Sequence, residues 1–288
     1  MRCPNLLISI CDANAQNSVK GSFAVPFARI NEITTWYQES GSGPALPVIF
    51  ANSLGTDHRI WAGVTNRLSA TRRCVVYDKR GHGMSDLSPQ PYAISDLAAD
   101  LLALADHCGI ERFVICGVSV GGMVALASAA AQPERIAGLV LCDTAPRIGT
   151  PDMWNIRIGQ VRNDGLSGIA DSVMERWFSP GFRATRQDEL AGWRNLLSRT
   201  PAQGYAETCA AIRDADLSAQ AQAIAVPTLV VAGADDLSTP PDLVRALADQ
   251  VSGAQFALIE GVGHIPSIEQ PDLLADLLGE FLETMPHE

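Results

Sequence analysis

Ser119 sits in the run Cys116-Gly-Val-Ser-Val-Gly-Gly-Met123, directly after one apolar stretch and directly before another. This is the pattern G-x-S-x-G, in which a tight strand-to-helix turn thrusts the hydroxyl out above a sheet while small neighbours allow the strained backbone to pack closely. A serine hydroxyl is a weak nucleophile unless a base takes its proton, and that base must itself be oriented by a carboxylate. The motif therefore asks for a histidine and an acid.

Of the five histidines, His264 in Glu260-Gly-Val-Gly-His-Ile-Pro266 occupies a loop between the last strand-like run and the terminal helix, which suits a catalytic base. His82 in Arg80-Gly-His-Gly83, His107 at a helix end and His287 in the tail read as surface or structural residues, and His58 as a residue at the mouth of a pocket. For the acid, Ala234-Asp-Asp-Leu-Ser-Thr-Pro240 offers Asp236, because serine, acid, histidine is one of the known chain orders for such a triad. Asp235 beside it, and Asp143 at the end of Gly138-Leu-Val-Leu-Cys-Asp143, are the rivals. An acyl-transfer site also needs donors for a developing oxyanion. The backbone N–H groups of Val120, next to the serine, and of Leu54, in the loop Asn52-Ser-Leu-Gly-Thr-Asp57, are expected to supply them. No H-E-x-x-H, P-loop or strand-borne G-x-G-x-x-G occurs, so neither a metal nor a cofactor is expected.

These residues need elements to hold them. Apolar runs at 47–52, 73–78, 112–117, 138–143, 227–233 and 254–261 read as strands of a parallel sheet covered on both faces. Helical patterns bounded by Ser, Pro and Gly alternate with them, and 30–44 reads as a preceding antiparallel strand. The expected fold is α/β: a mostly parallel, doubly wound sheet with right-handed crossovers. Between 146 and 225 the alternation breaks into short amphipathic helices carrying Trp154, Trp177 and Trp193. This segment is expected to be a lid over the carboxyl edge of the sheet, with 26–145 and 226–288 as the core.

The chain has 288 residues, 47% of them hydrophobic, enough to bury a large single core. Its net charge of −11 repels phosphate backbones and anionic membranes, and no apolar run approaches the roughly 18 residues of a membrane span, so nucleic acid and membrane are excluded as partners. Nothing indicates a homo-oligomer. Seven cysteines without a C-x-x-C pair, several of them inside strand-like runs, read as thiols of a reducing cytoplasm. Residues 1–25 imitate a secretory signal only faintly, with a short apolar run behind one arginine, and are expected to be a disordered extension.

The text of the chain over about 27–283 resembles the α/β-hydrolases and, among them, the 3-oxoadipate enol-lactonases. The likeness is carried by Asn52-Ser-Leu-Gly-Thr-Asp-His-Arg-Ile-Trp61, Tyr77-Asp-Lys-Arg-Gly-His-Gly-Met-Ser-Asp86, the serine motif, and the stretches 141–158, 170–178, 199–217 and 238–249. Residues 1–25 have no counterpart, and Ala234 stands where that family often has an acidic residue. The resemblance implies hydrolysis of an enol-lactone to 3-oxoadipate through an acyl-enzyme, in the β-ketoadipate route of aromatic breakdown. A general carboxylesterase, a perhydrolase, a C–C hydrolase or a non-catalytic binding protein would share the fold. The implied substrate is a small anionic lactone, whereas the protein is strongly negative, so a local cation is required. Arg147 is the first expectation, followed by Arg157 and Arg80, with Trp154 and Trp177 as pocket walls.

Overall fold

The structure, a computed structural model, describes residues 26–285. The expected disorder of 1–25 and the tail position of His287 lie outside the described residues. In chain order the elements are β1 (Phe27–Ile30), β2 (Ile33–Ser40), β3 (Ala45–Ala51), α1 (Ala62–Leu68), β4 (Arg72–Tyr77), α2 (Ile94–His107), β5 (Phe113–Val118), α3 (Val120–Ala131) and β6 (Ile136–Cys142). Six helices follow: α4 (Pro151–Asp164), α5 (Ala170–Trp177), α6 (Pro180–Thr185), α7 (Gln187–Arg199), α8 (Ala202–Arg213) and α9 (Ser218–Gln222). The chain then returns to the sheet with β7 (Thr228–Gly233), α10 (Pro241–Gln250), β8 (Gln255–Ile259), α11 (Pro266–Glu269) and α12 (Pro271–Glu283).

The sheet runs β1-β2-β4-β3-β5-β6-β7-β8, antiparallel at β1/β2 and β2/β4 and parallel from β4 to β8. Every residue of β5, β6 and β7 is buried, because helices cover both faces of the central sheet. That double burial is why these strands are uninterrupted apolar runs with no polar alternation. The N-terminal hairpin differs in kind: its outer strand β1 alternates exposed and buried residues, as an edge strand with one wet face does.

The parallel register brings the carboxyl ends of β3, β5, β6 and β7 to one edge of the sheet, with Val118 opposite Cys142. Helices α4–α9 enter between β6 and β7. Among the described residues no helix is long and apolar enough to cross a membrane.

Candidate active site

Ser119 lies between the last residue of β5 and the first of α3, with φ +59° and ψ −122°. A non-glycine residue in that region is strained, and the surroundings hold it there. Its N–H donates to Cys142 O at 3.0 Å, and its carbonyl accepts from Thr144 Oγ1 at 2.6 Å and from Gly122 N at 2.9 Å. The two glycines of the motif explain themselves by distance. A Cβ on Gly121 would stand 2.0 Å from Ala51 O of β3, and one on Gly117 would stand 2.2 Å from Gly121 O. The turn can form only where those backbones touch.

His264 and Asp236 meet behind this edge. His264 Nδ1 donates to Asp236 Oδ2 at 2.8 Å. The other oxygen of Asp236 accepts from Ser238 N at 2.7 Å and Thr239 N at 3.2 Å, and Thr239 Oγ1 donates to Oδ2 at 2.6 Å. With Nδ1 carrying the proton toward the carboxylate, Nε2 of a neutral imidazole is left as a base. The backbone N–H of His264 donates to Trp177 O at 2.8 Å, so α5 fixes the histidine loop directly. Glu269 reinforces that joint by accepting from Gly263 N at 2.8 Å and Ser179 N at 3.0 Å. Burial raises the Glu269 carboxyl above its ordinary value, and the hydrogen bonds from Ser179 and Gly263 counter the rise.

Ser119 and His264 line one narrow cavity of about 70 Å³, together with Ser53, Leu54 and Ser238 of the sheet edge. Trp154, Trp177, Tyr205, Arg157 and Arg176 close it from the inserted helices. Trp154 is positioned by its indole N–H, which donates to Ile148 O at 2.6 Å. Val120 is buried at the first position of α3, where a helix N–H has no intrahelical acceptor.

Arg147 is not in this cavity. In the loop after β6, Pro146 and Ile148 are buried while Arg147 between them is exposed, in the electrostatic field of Asp216. The cavity's guanidiniums are instead Arg157 and Arg176. Arg80 is also committed elsewhere, in a two-pronged pair with Asp100 at 2.6 and 2.7 Å. His58 is bound to Asp78 Oδ1 at 2.9 Å and stacked on Trp36, away from the cavity.

Two residues of Tyr77-Asp-Lys-Arg-Gly-His-Gly83 have a structural role, which the sequence left open for His82 and did not suggest for Lys79. The fully buried Lys79 ammonium donates to Ser53 O at 2.5 Å and Thr56 O at 3.3 Å. Buried His82 accepts the Gly55 N–H at 3.0 Å through Nε2, which makes Nδ1 the protonated nitrogen, 3.2 Å from Arg80 O. Together they grip the Ser53–Thr56 loop from below. Burial brings Lys79 down to about 7, against the pull of Asp78 and Asp57, and burial followed by the Lys79 charge holds His82 well below its usual value. The signal for both was a lysine and a histidine next to the glycines of a tight turn, which ordinary solvation priors assign to the surface.

Comparison with known proteins agrees with this geometry. The family model described as "Alpha/beta hydrolase family" matches residues 48–277. The chain is 34% identical to 3-oxoadipate enol-lactonase 1 of Acinetobacter baylyi, over 86% of this chain and 92% of that protein. It is 28% identical to a putative carbamate hydrolase, RutD, of Pseudomonas syringae pv. syringae, over 83% and 94%. The crystal structure of the enol-lactonase from Burkholderia xenovorans LB400 superposes with a TM-score of 0.87 at 38% identity, covering 90% of this chain and all of that one. With strand order, serine turn and sequence pointing the same way, the chain belongs to the alpha/beta hydrolase family.

Proposed function

We propose that this hydrolase opens 3-oxoadipate enol-lactone to 3-oxoadipate through an acyl-enzyme on Ser119, in bacterial degradation of aromatic compounds. The observation that carries the reading is the cavity itself: a serine at a strained turn and an imidazole oriented by a carboxylate share a narrow space with guanidiniums, inside a protein of net charge −11. Such a space favours a small anionic ester over a neutral one.

Ser119 Oγ adds to the lactone carbonyl as His264 Nε2 takes its proton, and Asp236 steadies the imidazolium. The oxyanion is met by the N–H groups of Val120 and Leu54. Collapse breaks the ring C–O bond; the electron pair leaves on the ring oxygen as an enolate, which takes the proton from His264 and settles to the ketone. Water, deprotonated by His264, then clears the acyl group. Arg157 replaces Arg147 as the anchor for the substrate carboxylate, with Trp154 and Trp177 as walls. The helices of 146–225 act as the lid, over a core made of 26–145 and 226–288. The unpaired thiols at Cys74, Cys108, Cys116, Cys142 and Cys209 suit the cytoplasm.

Steady-state turnover of the purified protein with the enol-lactone, beside phenyl acetate as a neutral ester, tests the reading. A kcat/KM for the lactone at least about 100-fold higher, some 2.7 kcal/mol, is expected for a site built around the anion. Equal values, or preference for phenyl acetate, would reject the lactonase in favour of a general esterase.

A further inference from the structure

Two guanidiniums face one cavity, and among the described residues no carboxylate pairs with either. Arg157 reaches it from α4 and Arg176 from α5. Elsewhere arginines of this acidic chain meet carboxylates, as Arg80 does with Asp100 and Arg194 with Asp171. Among the described residues the hydrogen bond of Arg157 goes to the Tyr205 hydroxyl at 3.4 Å, and Arg176 has no hydrogen bond or ion pair. Tyr205 lines the same cavity as both arginines; burial and the neighbouring Cys209 raise its phenol while both guanidiniums pull it back. Both arginines are half-buried, so solvent screens their mutual repulsion only in part, and a ligand of opposite charge in the cavity relieves the rest.

The lactone carries one fixed carboxylate, so one guanidinium is unanswered in the ground state. The second negative charge is made by the reaction. As the ring C–O bond breaks, the electron pair stays on the ring oxygen, whose carbon is joined to the carboxylate by a single methylene. We propose that Arg176 receives this departing enolate oxygen while Arg157 holds the carboxylate, so that the pair grips a dianion whose two charges are separated by one methylene. This inference rests on the enol-lactone reading above. The proton that Ser119 gave to His264 ends on the enolate, the acyl group stays on Ser119 Oγ, and the departing charge is answered by a cation already in place, as preorganised transition-state stabilisation requires.

Malonate, two carboxylates on one methylene, mimics that dianion and acetate mimics only its fixed half. The test compares wild type, Arg176→Gln and Arg176→Lys in enol-lactone turnover, and in inhibition by malonate and acetate. Arg176→Gln is expected to lower kcat about 100-fold with KM changed less than about threefold, since the interaction forms only as the bond breaks. Its malonate inhibition constant should rise at least about tenfold while that for acetate stays within about twofold, and Arg176→Lys should recover part of both losses. A kcat within about twofold of wild type in Arg176→Gln, or equal changes for malonate and acetate, would overturn the proposal. Melting temperature certifies that the variant is folded, and Arg176→Met replaces it if it is not. Should the wild type ignore the lactone, the enol-lactone reading falls instead; the malonate-to-acetate comparison, read against phenyl acetate turnover, still decides whether the two guanidiniums share one dianion.

Discussion

Asp143 puts a second carboxyl close behind the edge that carries Asp236. It is fully buried; Oδ1 accepts the Gly233 N–H at 2.7 Å, and Oδ2 has no hydrogen-bond partner among the described residues. Burial, and after it the charge of Asp236, makes its carboxyl a weaker acid, holding its proton well above the ordinary carboxylate range. The folded protein therefore retains a proton that the unfolded chain gives up. A carboxyl raised in this way contributes stability that is present below the ordinary carboxylate value and lost as pH rises through the folded one. Asparagine has the same shape without that cost, so Asp143→Asn should raise the melting temperature at pH 7, by about 1 kcal/mol in stability, with the gain disappearing near pH 3. A lower melting temperature at pH 7 would show that Asp143 is ionised and needed as a charge. At this scale the turn that carries Ser119 and the pairing of His264 with Asp236 were legible as positions, because few residue types suit such loops and glycine marks them. That Arg147 lies outside the cavity was not legible, because charge says nothing about which residues of an irregular loop are turned inward. Lys79 was passed over, and His82 was read no more finely than surface or structural, because burial of such side chains is set by tertiary contacts to Ser53, Thr56 and Gly55.

The elements were legible to the extent that burial is uniform along them. Strands β5, β6 and β7 are buried throughout and stood out as apolar runs, whereas β8 on the sheet edge is partly exposed and its run overshoots the strand at both ends. The inserted helices were legible as helical but not as individuals, since α6 and α9, with six and five residues, are too short for a period to show. Close contact between elements was visible only as glycine. Replacing Gly121 by Ala drives a Cβ into Ala51 O, a backbone atom that cannot swing aside, so α3 must lift from β3. We expect Gly121→Ala to cost about 3 kcal/mol or more, while Gly159→Ala in α4, where a Cβ meets nothing within 4 Å, is neutral or stabilising by about 0.5–1 kcal/mol. Thermal melts of the two variants check this, and similar losses in both would contradict it.

For the whole molecule, the sheet order is what turns distant residues into neighbours. Parallel strands β5, β6 and β7 deliver Ser119, Asp143 and Asp236 to one edge, and the loop after β8 brings His264 to it. The inserted helices are fastened there by Trp177 O and by the Glu269 contacts, so access to the serine and placement of the histidine are mechanically linked. Alternation of strand and helix made this architecture readable, and the break in alternation marked the insertion. Which insertion side chains point inward was not readable, because that depends on how α4, α5 and α8 pack on one another. The central claim is that Ser119, deprotonated by His264, forms the bond to substrate. Single-turnover hydrolysis of the enol-lactone by wild type and by Ser119→Ala, with both proteins checked by their melting temperatures, measures it most directly. The account predicts a loss of about 10⁴-fold or more in the variant; a variant that retains a tenth or more of the wild-type rate would contradict it.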